Sequence, residues 1–128
     1  MELVTLISNL HVQDANGIRL DISKALDVLQ WDYADVLLYV SKLDATNVKF
    51  EFYTSTQNEL DDLTVGAPNS SWLKLGEATV TAEGYSLISL PTPVTNAFLR
   101  YLRWWVKPAG GNSKATVSVQ MILRRKTF

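Results

Sequence analysis

The side chains that could do chemistry are few in this sequence and are not grouped. His11 is the only histidine and there is no cysteine, which excludes a multi-histidine metal site, a thiolate site and a cysteine nucleophile. A serine hydrolase would need His11 beside a serine and a carboxylate, and no Gly-x-Ser-x-Gly turn presents such a serine. The sequence therefore predicts a protein that is not an enzyme and holds no metal or other cofactor. In that reading His11 is a polar residue near the end of a strand.

Two acidic segments are candidates for cation sites. Asp14 to Gly17 begins like a calcium loop, but Ile18 and Ala25 occupy the fifth and twelfth positions, where oxygen ligands are required. Glu59, Asp61 and Asp62 could form a carboxylate site, but Asp61 and Asp62 are consecutive, so their side chains point apart on any regular element. Both segments are therefore predicted to be solvated turns or loops.

The charge balance argues against two classes of partner. The 12 basic and 13 acidic residues give a net charge of −1, which excludes a global attraction to nucleic acid or to an anionic membrane. No run approaches the roughly 18 consecutive apolar residues of a membrane helix. The segment Met1 to Ile7 lacks the basic region and apolar stretch of a signal peptide. We expect no nucleic-acid or membrane partner, and synthesis in the cytoplasm without an export signal.

Strand patterns dominate the chain. Val48, Phe50 and Phe52 alternate with polar residues, and Val117 to Leu123 does the same, which places the apolar side chains on one face of a strand. Further strands are predicted at residues 3–10, 18–22, 36–43, 72–75, 78–82, 85–90 and 98–106. Turn residues separate them, including an Asn16-Gly17 pair suited to a tight hairpin and a glycine-rich loop at 108–113. The pattern indicates one all-β domain over residues 1–128, an antiparallel, jelly-roll-like β-sandwich.

Two segments depart from this pattern. Ile22, Ala25, Leu26 and Leu29 fall at helical spacing, and residues 56–59 match a capping box that two leucines follow. One or two short helical turns are therefore predicted within loops, at about residues 22–30 and 57–64.

The aromatic residues are the strongest candidates for a binding surface. Trp104 and Trp105 are adjacent, so in a strand their side chains leave opposite faces. One enters the core, and the other lies outside or is covered by a loop or a partner. Trp31 and Tyr33 precede a central strand, and Trp72 follows a polar loop. These five residues are the predicted interface residues, because aromatic side chains are enriched at interfaces. An exposed tryptophan could instead stack on a sugar, and simple packing in the core is an equal alternative for each tryptophan.

The second half of the chain carries a family resemblance. The alternating strand Val48–Thr56 is followed by Ser71–Gly76 with Trp72, and then by a strand containing Arg100-Tyr101-Leu102-Arg103. This arrangement resembles small β-sandwich proteins of tailed-bacteriophage virions, in which a tryptophan strand precedes an Arg-Tyr-x-Arg strand. It is also similar to discoidin-like carbohydrate-binding sandwiches. Those commonly carry paired cysteines and a secretion signal, and this sequence has neither.

The resemblance implies a function and partners. A phage virion protein would be made in the host cytoplasm and located in the virion. It would assemble with copies of itself, as a homotrimer, and with a major capsid or other virion protein. The leading hypothesis is a capsid decoration (cement) protein that stabilises the shell through subunit interfaces, and a tail or connector component is a variant of it. The alternative is a carbohydrate-binding module that uses exposed aromatic residues.

Overall fold

The structure is a computed structural model that describes residues 1–13, 17–19, 25–56, 72–91 and 97–126. Within those ranges the chain forms nine strands and no helix. The strands are β1 (Glu2–Val12), β2 (Ile18–Arg19), β3 (Leu26–Asp27), β4 (Tyr33–Asp44), β5 (Asn47–Ser55), β6 (Leu73–Val80), β7 (Gly84–Leu90), β8 (Tyr101–Ala109) and β9 (Lys114–Arg124).

The strands form two antiparallel sheets. The four-stranded sheet has the order β1-β9-β4-β7. The five-stranded sheet has the order β2-β8-β5-β6, with β3 also paired to β8. Consecutive strands mostly lie in different sheets, so the chain crosses repeatedly from one layer to the other. This arrangement confirms the predicted all-β sandwich.

The main core lies between the sheets. Along β4, buried and half-buried residues alternate from Tyr33 to Val40, as expected when one face of a strand packs inward. The inward residues of β5 and β9 meet those of β4 in one apolar cluster. The core residues predicted from the alternation are all buried, namely Phe50, Phe52, Val117, Val119, Met121 and Leu123.

The predicted helical turns have two different outcomes. The segment 57–64 lies outside the described residues. Within 22–30, Leu26 and Asp27 form β3, which pairs with Leu102 and Tyr101 of β8, and a tight turn follows in which the Trp31 amide donates to the Val28 carbonyl. The helical spacing depended on Leu29 as an apolar-face residue, but its side chain is exposed. Over the described residues 25–30, strand pairing and a turn therefore replace the predicted helix, and residues 22–24 lie outside the described part.

Two local predictions are corrected by the topology. The strands on either side of the Asn16-Gly17 pair do not form a hairpin with each other, because β1 pairs with β9 whereas β2 pairs with β8; Asn16 itself lies outside the described residues. Gly17 has φ +80°, and a Cβ on it would collide with the Val106 carbonyl and the Lys107 side chain. It is thus a point where the crossing chain approaches β8 closely. The strands predicted at 72–75 and 78–82 are one strand, β6, because Gly76 pairs with Phe52 without a turn.

Candidate functional site

The adjacent tryptophans of β8 point to opposite faces, as predicted, but neither is exposed. Trp104 enters the core between the sheets, and Trp105 points outward from the five-stranded sheet. Their exposed fractions are only 7% and 3%. The predicted outward tryptophan is therefore Trp105, and this chain covers its side chain. Part of that cover is the crossing segment at Gly17.

Trp105 belongs to a second aromatic cluster on the outer face of the five-stranded sheet. It packs there with Trp72 and Tyr53, and both of those side chains are also buried. The Arg103 guanidinium lies over the Trp72 ring at 5.0 Å, and the Lys107 ammonium lies over the Trp105 ring at 4.5 Å. These cation–π contacts hold two charges against buried rings. Trp72, Trp104 and Trp105 are therefore packed within the chain and are not accessible as interface residues.

A buried carboxylate lies at the centre of this outer face. Glu51 is 2% exposed and forms ion pairs with Lys107 and, at 3.3 Å, with Lys74. The Tyr53 hydroxyl donates to Glu51 Oε2 at 3.2 Å. Lys74 also bridges to Glu77 at 2.9 Å. The negative charge of this carboxylate is balanced by two lysines, and a phenol donates a hydrogen bond to it. The arrangement therefore suits a structural network better than a general base.

The network shifts three pKa values. Burial, together with the negative charge of Glu51, raises the pKa of Tyr53 well above its usual value near 10. Burial alone would lower the pKa of Lys74, but its hydrogen bond to Glu77 and the charge of Glu51 raise it. The hydrogen bond from Lys74 lowers the pKa of the Glu77 carboxyl. Each shift favours the protonation state that takes part in the network: the neutral phenol of Tyr53, the charged ammonium of Lys74 and the charged carboxylate of Glu77.

This network was not predicted from the sequence, although the residue pattern contained a signal for it. Glu51 and Tyr53 occupy alternate positions of β5, and Arg103, Trp105 and Lys107 do so on β8. Strands with one solvated face seldom carry that much aromatic surface on it. Residues 50–55 of β5 are all buried, so this strand is covered on both faces. Alternation predicted a half-buried strand, because it reports which side chains share a face and not what covers that face.

Trp31 and Tyr33 are the predicted interface residues that keep accessible surface. Both are half-buried, and they line two neighbouring surface grooves of about 290 and 560 Å³. The Arg125 guanidinium lies 5.4 Å from the centre of the Trp31 ring. Arg125 is held there by hydrogen bonds of 2.9 Å to the carbonyl and the side-chain oxygen of Gln30. The result is an ordered tryptophan–arginine pair beside an accessible tyrosine.

The rim of these grooves is polar and internally paired. Arg124 forms an ion pair with Asp35 at 2.9 Å, and the Lys126 amide donates to Asp32 at 2.7 Å. Aromatic side chains and arginine are enriched at protein interfaces, and a polar, hydrogen-bonded rim usually surrounds them. We refer to the surface of Trp31, Tyr33, Arg124 and Arg125 as the tryptophan groove.

His11 lies apart from both surfaces. It borders an open pocket of about 420 Å³ that Lys42, Asp44 and Lys114 also line, and its Nδ1 lies 3.0 Å from the Thr116 hydroxyl. Asp44 accepts two hydrogen bonds from the Asn112 amide. Over the ranges that the structure covers, no group of three or more His, Asp or Glu side chains could hold a metal ion. The acidic residues at 59–62 lie outside the described part.

Among the described residues, no helix is long and apolar enough to cross a membrane.

No protein-family model and no curated protein matches the chain. Solved structures that are similar include the Yersinia pseudotuberculosis-derived mitogen, at 7% identity and a TM-score of 0.52, covering 99% of this chain and 90% of that one. A non-crystalline cellulose-specific carbohydrate-binding module, CBM28, matches at 10% identity and 0.49, covering 91% and 79%. A chain of the native Kashmir bee virus virion matches at 12% identity and 0.43, covering 96% and 71%. At such identities the mitogen comparison shows a shared fold and nothing about function.

Proposed function

We propose that this chain is a non-enzymatic structural protein of a bacteriophage virion. Within the virion it is a capsid decoration protein that stabilises the shell through subunit interfaces. Such a protein acts by mass action, because it binds the assembled lattice and not the dispersed subunits. Its partners are copies of itself, as a trimer at a local three-fold axis, and a major capsid protein. Support for the phage assignment comes from the resemblance of residues 35–126 to small virion sandwiches.

The observation that carries the assembly role is the tryptophan groove. Trp, Tyr and Arg are the residue types that dominate interface energetics, and the groove presents all three on one accessible surface. Arg125 is held in place before any partner arrives, so little side-chain entropy is lost when a partner binds. The groove is therefore the contact surface in this proposal.

The same geometry disfavours the carbohydrate alternative at this position. A sugar binds tryptophan by stacking on a face of the ring. Arg125 lies over one face of Trp31, and the ring also packs against the main core. A pyranose would have to displace an arginine that two hydrogen bonds hold, whereas a protein partner can contact the arginine as it stands.

The experiment compares three purified proteins by light scattering and by co-sedimentation with phage capsids. Trp31→Ala should weaken assembly by about 2 kcal/mol or more, as loss of an interface anchor does. Arg125→Ala tests the same surface without opening the core. Leu29→Ala is the matched control, because Leu29 is a nearby exposed side chain outside the groove, and it should assemble normally.

The carbohydrate alternative predicts a different result. A protein that stays monomeric, binds no capsid and recognises a defined oligosaccharide on a glycan array would overturn the proposal. Loss of that glycan binding in Trp31→Ala would then assign the groove to the sugar.

A further inference from the structure

The four-stranded sheet ends at an open edge. β7 pairs with β4 from Ala34↔Leu90 to Val40↔Gly84, in continuous register and without a bulge. On its other side, β7 has no partner strand among the described residues. An unpaired edge presents a row of backbone N–H and C=O groups that can pair with another strand.

Two other outer strands, β1 and β6, carry features that block such pairing. β1 is interrupted by two register shifts in its pairing with β9, and Asn9 has a positive φ of 50°. β6 carries Lys74 and Glu77, which are exposed charges on the strand. Bulges and charges are the usual protection of natural sheet edges. From Gly84 to Leu90, β7 has no bulge, no charge and no proline.

The open edge is also apolar. Tyr85 and Leu87 are each 70% exposed on the outer face of β7. They lie directly across from Tyr39 and Leu37 of β4, and the two tyrosine rings stack with centroids 4.3 Å apart. A straight, uncharged, apolar edge strand is an unprotected site for association.

We infer that β7 pairs antiparallel with β7 of a second copy, around a two-fold axis at Leu87. In that register Leu87 lies opposite its own copy, and Tyr85 lies opposite Ser89 of the other copy. The two four-stranded sheets then continue into one eight-stranded sheet, and the exposed leucines and tyrosines form one apolar stripe across the axis. A two-fold interface of this kind uses the same surface on both copies.

Charge is what favours a second copy over a different protein. Partner choice between unlike proteins usually relies on complementary charges, and β7 offers none. Like charges directly opposite each other destabilise a strand pair. Pairing of β7 with its own copy places no such charges opposite each other. The nearest charge is Glu83, which already accepts a hydrogen bond from the Leu43 amide. In the proposed register the two Glu83 residues are eight positions apart along the strands, or about 27 Å.

The inference goes beyond the proposed function and does not depend on it. The tryptophan groove meets β7 only at its end, near Ser89 to Pro91, and the residues at the two-fold axis lie outside the groove. Light scattering is therefore done on Trp31→Ala, which removes the groove contact. The expected species is a dimer of 14.3 kDa chains. Adding Leu87→Lys should weaken that dimer by at least about tenfold, because two lysines would face each other at the axis.

The matched control is Leu3→Lys. Leu3 is a leucine 64% exposed at the opposite edge of the same sheet, so its substitution should leave the dimer intact. A protein that stays monomeric at the highest accessible concentration would overturn the inference. So would a dimer that Leu3→Lys dissociates and Leu87→Lys does not.

The register has its own test, because the chain contains no cysteine. Directly opposed residues of antiparallel strands have Cα atoms within the distance that a disulfide spans. Leu87→Cys should therefore form a covalent dimer on mild oxidation. Tyr85→Cys and Ser89→Cys should each remain uncrosslinked alone and should crosslink when mixed. Crosslinking of Tyr85→Cys alone would overturn the proposed axis.

Discussion

The two outer faces of the sandwich differ in what covers their aromatic residues. On the five-stranded sheet Tyr53, Trp105 and the Glu51 carboxylate are buried, although they point away from the core between the sheets. On the four-stranded sheet Tyr85 and Leu87 remain largely exposed. Both faces are rich in large side chains. What distinguishes them is that the chain covers the first face itself and leaves the second open.

This contrast shows why aromatic content alone does not locate a binding surface. Three of the four tryptophans are buried by packing within the chain, and only Trp31 is partly exposed. The open apolar area includes Tyr85 and Leu87, which carry no tryptophan signal. An interface is recognised by apolar side chains that are exposed next to an unprotected strand edge or in a groove. Exposure, edges and grooves all depend on the fold.

The largest expected difference between the two outer faces is the loss of stability when one aromatic ring on each face is truncated. Trp105→Ala should lower the free energy of unfolding by about 3–5 kcal/mol, because it empties a buried aromatic site. Tyr85→Ala should change it by less than about 1 kcal/mol, since the ring is exposed. Urea denaturation of the two variants, measured at low protein concentration, gives both values. Equal losses would remove the distinction between the faces.

A smaller loss of stability is expected when the negative charge of Glu51 is removed by substitution. Glu51→Gln should cost about 1.5–3 kcal/mol, the range for hydrogen bonds that involve a charged group, because Lys107 and Lys74 lose their shared partner. Glu2→Gln, an exposed residue of the other sheet, serves as the control and should be nearly neutral. If the two variants denature at the same urea concentration, the Glu51 network does not stabilise the covered face.

The buried phenol should make stability depend on alkaline pH. Its pKa is raised in the folded chain, so the unfolded chain releases the phenol proton first. The stability contribution is full below pH of about 10 and is lost as the pH rises through the folded pKa. Tyr53→Phe should cost about 1 kcal/mol at neutral pH through the lost hydrogen bond, and its stability should fall less steeply above pH 10. The unmodified chain should show the full alkaline loss in the same titration of melting temperature.

The smallest effect concerns the exposed end of the network. The pKa of Glu77 is lowered by Lys74, so its contribution is present above the unfolded pKa of about 4.3 and is lost as the pH falls through the folded value. Because both side chains are well exposed, solvent screens the pair, and the contribution should stay below about 1 kcal/mol. Glu77→Gln should therefore show a slightly flatter loss of stability in acid. A steeper acid transition than that of the unmodified chain would contradict the assignment.

The correct sequence predictions were those that depended on local pattern. Alternation at Phe50 and Phe52, and from Val117 to Leu123, placed the core residues correctly, because a strand has a fixed period of two. The same rule placed Trp104 and Trp105 on opposite faces. Predictions that needed a partner segment were less accurate. The Asn16-Gly17 hairpin requires β1 and β2 to pair, and Leu26 was assigned a helical turn although β8 offers it a strand partner.

The residues alone therefore establish an all-β chain and its inward face. Local sterics and the spacing of apolar residues suffice for both, because neither depends on distant contacts. Coverage of a face and exposure of an edge do depend on them. Glu51 becomes a buried carboxylate with its charge balanced only when Lys74 of β6 and Lys107 of β8 lie beside it. Likewise β7 becomes an edge only because the chain crosses to the other sheet on both sides of it. Such long-range pairings are set when the two sheets pack together, since local preferences are compatible with several arrangements of the same strands.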